Sequence, residues 1–166
     1  MLPAKDGNGE TVKLSEAASY LLNECRMVLP GIQALFGFQL VAVFDDRFGR
    51  DLSDAEQAWH FAATALVAIA VALIMTPAAY HRALGVRHVS ERFLRNASRL
   101  LLASMAPLGL GICIDFYIVG RLMLDSRWPM AASAALFALF FFFWYLFPRW
   151  QRLHEVLDRM PGGGPG

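Results

Sequence analysis

Four apolar blocks, roughly Met27–Phe44, Trp59–Ala79, Leu100–Gly120 and Pro129–Phe147, constrain this chain more than any other feature. Each is about 20 residues long, enough at about 1.5 Å per residue to cross a hydrocarbon core about 30 Å thick. A soluble four-helix bundle would need a polar stripe along each helix. The runs FAATALVAIAVALIM (61–75) and ALFALFFFFWYLF (135–147) have none. Only 17% of the residues are charged, against about 25% in an ordinary soluble domain, and most charges fall between the blocks. The fold class that follows is all-α: one four-transmembrane-helix bundle with interfacial amphipathic segments.

The connecting stretches set the expected boundaries. Residues 1–14 are polar and read as a disordered tail with no cleavable signal peptide, 15–160 as the membrane domain, and 161–166 as a flexible tail. From Leu14 to Leu29 apolar residues recur at helical spacing, which predicts an amphipathic helix on the membrane surface with Ser15 as N-cap. Pro30-Gly31 predicts a kink where that helix turns into the first span. The acidic loop that follows holds Asp45, Asp46, Asp51 and Asp54, without the spacing of a calcium-binding loop, and reads as solvated. Ser53 and Glu56 match a capping box that starts the second helix, expected to end near Pro77.

The loop between the second and third spans carries Arg82, Arg87, Arg92, Arg95 and Arg99, with an apolar stripe through Val86, Val89, Phe93, Ala97 and Leu100. This pattern predicts contact with the anionic headgroups of a lipid bilayer. A formal net charge of +1 argues against nucleic acid as a partner. In the fourth block, Ala131/Ala135 and Ala134/Ala138 permit close helix contact. After Pro148 a short amphipathic helix runs through Trp150, Leu153, Val156, Leu157 and Met160. The tails and the second-to-third loop hold most of the basic residues, whereas the other side has only Arg47, Arg50, Arg121 and Arg127. The positive-inside rule then places both termini in the cytoplasm.

Charges at membrane depth are costly and mark functional candidates. Asp115 lies about five residues inside the outer end of the third block. Gln39, Thr64 and Ser133 fall at similar depths on the other three, and His60 stands one turn above Thr64. Ser104, Gly111 and Asp115 share a face expected to point into the bundle. These residues predict either an outer polar pocket, in which Asp115 binds a cation or proton, or a structural cluster in which Gln39, Thr64 or Arg121 satisfies Asp115. A second cluster at the inner ends, Glu24, Arg26, His81, Arg82 and Arg149, predicts ion pairs that pin the first helix to the second.

Other chemistries find no support. Cys25 and Cys113 lie at different depths and read as free, small apolar side chains. The histidines offer no pair at matching depth for haem. No metal spacing, phosphate loop or nucleophile elbow occurs, so neither a metal, a cofactor nor an enzymatic activity is expected.

The segments NECRMVLPGIQALFGFQL (23–40) and MTPAAYHRAL (75–84) resemble an uncharacterised family of small bacterial four-helix membrane proteins. The resemblance spans about Leu21 to Arg149, and its most specific parts are Glu24-x-Arg26, Pro30-Gly31-x-Gln33 and Pro77 with His81-Arg82. It implies a bacterial plasma (inner) membrane protein of this topology. Some members carry the label sodium:proton antiporter. Two function classes remain: a non-enzymatic membrane scaffold or interaction protein, and a small ion transporter or channel using Asp115. The second implies a homo-oligomer, because four short helices leave little room for a path within one subunit.

Overall fold

The computed structural model describes residues 7–84, 90–124 and 127–150, with side chains described from Lys13 onward except that of Leu84. Among them there is no strand. The elements are α1 (Gly7–Ala42), α2 (Asp46–Asp51), α3 (Asp54–Leu84), α4 (Glu91–Met123) and α5 (Trp128–Phe141), the last followed by a π-helical turn, Phe142–Leu146. Four helices are long and apolar enough to cross a membrane: Lys13–Ala42, Asp54–Ala83, Glu91–Met123 and Trp128–Trp150. The chain divides into two compact units after Asp115.

The helices are longer than the apolar blocks, chiefly because proline does not end them. α1 starts upstream of Ser15, which is therefore not its N-cap, and it passes through Pro30 without separating a surface helix from the span. α3 continues past Pro77 to Leu84, and Pro107 lies inside α4. A proline removes one amide donor per helix. In an apolar medium the remaining carbonyls find no better partner than the helix itself, so the helix persists around the gap. Beside Pro77, the Thr76 hydroxyl donates to the Ala72 carbonyl at 2.8 Å. The acidic connection contains α2, capped by Asp45, whose carboxylate accepts from the Arg47 amide at 2.9 Å. The capping box forms as expected: the Ser53 amide donates to Glu56 Oε2 at 2.9 Å and the Glu56 amide to Ser53 Oγ at 3.4 Å. Ser90 caps α4 by accepting from the Phe93 amide, so Arg92, Arg95 and Arg99 belong to the third spanning helix rather than to a loop. Arg87, Val86 and Val89, and the amphipathic helix expected beyond Trp150, lie outside the described residues.

In the first unit the core follows a seven-residue rhythm. Ala18, Cys25, Ile32 and Gln39 are the buried residues of the described part of α1, at intervals of seven. On α3 the buried set is Glu56, His60, Ala63, Val67, Ala70, Ile74 and Pro77, alternating steps of four and three. Ala97, Ser104 and Gly111 on α4 repeat every seven. A seven-residue repeat is the pattern that left-handed supercoiling of helices, common in membrane bundles, would produce. Cys25, Ile32, Val67 and Ile74 form one cluster, and Ala18, Phe93 and Ala97 a second. Lipid tails are as apolar as leucine, so packing density and polar contacts hold such helices together. Gly111 shows how close they come: a Cβ there would stand 2.9 Å from the Ala63 carbonyl oxygen and 3.0 Å from Val67 Cγ2. Cys25 and Cys113 are buried free thiols.

The second unit comprises the end of α4, α5 and the turn beyond it. Gly120 admits Pro129 closely, since an added Cβ would meet Pro129 Cβ at 2.9 Å. α5 is apolar on all sides, and from Met130 to Trp150 no residue is buried. Its aromatic run stacks along the helix, with Phe140 on Trp144 at 4.6 Å and Phe141 on Tyr145 at 5.8 Å. The π-helical turn sits within this run, where the Phe147 amide reaches the Phe142 carbonyl.

Candidate functional site

Three spans meet at a carboxylate. Gln39 stands in the last turn of α1, His60 in the second turn of α3, and Asp115 about two turns before the end of α4. The α1 and α3 rhythms place Gln39 and His60 on their buried faces, and Asp115 follows Gly111 by one turn, where the close approach of α4 to α3 lets a short side chain reach across. Gln39 Nε2 donates to Asp115 Oδ2. His60 Nδ1 lies 3.0 Å from Asp115 Oδ1, and His60 Nε2 lies 2.9 Å from the backbone carbonyl oxygen of Gln39. The His60 and Asp115 side chains are 8% and 14% exposed. The ring of Phe48, on α2, covers His60 edge-on at 5.1 Å.

This geometry fixes a proton count. A carbonyl only accepts, so His60 Nε2 must carry its hydrogen. The Nδ1–Oδ1 contact then holds one proton, as imidazolium beside carboxylate or as neutral imidazole beside carboxylic acid. In both forms the pair is electrically neutral. Without that proton, two lone pairs would face each other across 3.0 Å and leave a net negative charge buried at membrane depth. Gln39 Oε1 is buried with no hydrogen-bond partner.

The other candidates fall elsewhere. The Thr64 hydroxyl donates to the His60 carbonyl of its own helix at 3.0 Å and does not reach Asp115. Ser133 and Arg149 belong to the second unit. Of the inner cluster, Glu24, Arg26 and Arg82 are exposed, and the His81 ring lies 6.1 Å from that of Phe93. Among the described residues no ion pair joins Glu24, Arg26, His81 and Arg82. Sequence reasoning placed His60 in the outer pocket, one turn above Thr64, but did not pair it directly with Asp115 or foresee its cover by Phe48. The available signal was periodic: His60, Val67 and Ile74 stand seven apart on one face. Among the described residues, no three His, Cys, Asp or Glu side chains gather as a metal site.

Residues 9–148 match the model of a family of unknown function, DUF6328. The chain belongs to that family. No curated protein and no solved structure matches it. For this DUF6328 member, then, chemistry has to be read from its own side chains, and the His60–Asp115–Gln39 bridge is where they converge.

Proposed function

We propose that this protein is a non-enzymatic scaffold or interaction protein of the bacterial plasma membrane, with both termini in the cytoplasm and the Asp115 bridge clamping three spans at their outer ends. The observation that carries this reading is the full engagement of the carboxylate: each oxygen of Asp115 is held by a side chain from a different span. A carboxylate so held resembles structural glue between helices rather than an open ion site. The fourth span supports the same reading. Its alanines at four-residue spacing, Ala131/Ala135 and Ala134/Ala138, offer a smooth face to a further helix.

A second reading, cation or proton transport through Asp115, is favoured by one observation. Gln39 Oε1, buried and unpartnered, adjoins a pair that holds a single proton. Proteoliposomes separate the two. The scaffold reading expects proton movement under a sodium or potassium gradient to match that of empty vesicles, for both the parent protein and Asp115→Asn. Gradient-driven flux in the parent that disappears in folded Asp115→Asn would overturn it and put Asp115 on a transport path.

A further inference from the structure

At the end of the first unit away from Asp115, α3 and α4 line a half-open pocket of about 370 Å³. Tyr80 stands 20 residues along α3 from His60, roughly 30 Å by helical rise. The volume lies in the range of small-molecule sites, about 300–1,000 Å³. Its lining is graded. Ser90, Arg92 and Asn96 line it from the first turns of α4 and Tyr80 from α3, whereas Pro77 and Leu100 line it further toward the membrane interior. The walls are tied together by the Tyr80 and Phe93 rings, stacked at 5.6 Å with planes 13° apart. Phe93 and Ala97 are themselves buried against Ala18 of α1, so the apolar wall is held in place.

The polar lining is rich in donors. Among the described residues, Arg92, Asn96 and the Tyr80 hydroxyl have no hydrogen-bond or ion-pair partner, and no carboxylate lines the cavity. Ser90 Oγ already accepts from the Phe93 amide, which leaves its own proton to donate outward. An unpaired guanidinium with amide and hydroxyl donors suits the oxygens of a phosphate ester. Apolar surface leading away from it into the membrane suits an acyl chain.

We propose that this cavity binds one anionic phospholipid, its phosphate held by Arg92 with Tyr80, Ser90 and Asn96, and the start of an acyl chain lying against Pro77 and Leu100. The site goes beyond the scaffold reading and does not depend on Asp115. It also differs from a diffuse basic surface, because Arg95 and Arg99 stand on the same helix but do not line the cavity. One surface cation contributes about fivefold to anionic-lipid affinity, so Arg92→Gln should weaken binding at least that much.

The test is native mass spectrometry of the purified full chain with phosphatidylglycerol, phosphatidylcholine or free glycerol 3-phosphate added. One phosphatidylglycerol should stay bound per chain, in preference to phosphatidylcholine, and glycerol 3-phosphate should not displace it. Arg92→Gln and Asn96→Trp, which fills the mouth from an exposed position, should each cut retention fivefold or more. Arg95→Gln, with the same loss of charge, should change it less than twofold. Because Arg92 and Asn96 are exposed, unchanged helicity is expected in both variants. Equal losses in Arg92→Gln and Arg95→Gln would overturn the site in favour of a diffuse surface, as would unchanged retention in Asn96→Trp. Displacement by glycerol 3-phosphate would overturn the lipid assignment in favour of a soluble phosphate ester.

Discussion

Replacing Asp115 in two ways tests the one-proton account of the bridge. Asp115→Ala strands the Gln39 side-chain amide and His60 Nδ1 together, since these groups hold the two carboxylate oxygens. Interhelical hydrogen bonds within membranes average about 0.6 kcal/mol and reach about 1.7 kcal/mol. A buried polar group left without a partner costs about 1–3 kcal/mol. Two such losses place Asp115→Ala at about 2–3 kcal/mol. Asp115→Asn should behave otherwise. Its oxygen accepts from Gln39 Nε2, and its amide donates to His60 Nδ1, which is free to accept because Nε2 keeps its hydrogen on the Gln39 carbonyl. The protonated bridge is already neutral, so removing the charge removes no net charge from the site. The expected cost is below about 1 kcal/mol, in line with the near balance between desolvation and attraction in buried ion pairs. Equilibrium unfolding in mixed micelles, followed by circular dichroism, measures both. Equal losses for Asn and Ala would refute the reasoning, because they would show that the bridge depends on a fixed carboxylate charge.

Three further outcomes follow from particular contacts. Gly111→Ala should cost about 1–3 kcal/mol in the same unfolding assay, because its Cβ would collide with the Ala63 carbonyl, whereas Gly31→Ala, with nothing within 4 Å, should be neutral or stabilising. Ser53→Ala should cost about 1 kcal/mol through loss of the α3 cap, and hydrogen exchange should rise in the first turn of α3 before it rises elsewhere. With termini inside, a membrane-impermeant maleimide on intact cells should label Asp51→Cys and spare Arg95→Cys; the native thiols are buried and contribute little background. The reverse pattern would invert the topology.

Much of the architecture was legible because its causes are local. Hydrophobicity integrated over about 20 residues decides membrane residence, and the capping box at Ser53 and Glu56 is a contact between neighbours in the chain. The inward face of Ser104, Gly111 and Asp115 was readable from helical periodicity, and all three line up on the packed side of α4. Prolines misled for a physical reason. Pro30 and Pro77 weaken one helical bond each, which breaks a helix in water, but inside the apolar spans no competing partner exists for the freed carbonyls.

The choice of partner for Asp115 was not local. Counting depth from the ends of the apolar blocks matched it with Gln39, which does donate to it, and with Thr64, yet Thr64 spends its hydroxyl on its own helix and His60, one turn away, makes the other contact. An error of one turn is about 5.4 Å, wider than any hydrogen bond, and each residue rotates a side chain by about 100°. By itself the sequence therefore determined that the chain is helical, that four of its helices are long and apolar enough to cross a membrane, and where α3 is capped, since these follow from local composition and spacing. Only the tertiary structure decided that α1 and α3 run in matched seven-residue register and that Gly111 draws α4 against α3. The same arrangement leaves a donor-lined cavity between α3 and α4. Those depend on the relative rotation and height of separate helices, which the sum of all their contacts sets and no single stretch encodes.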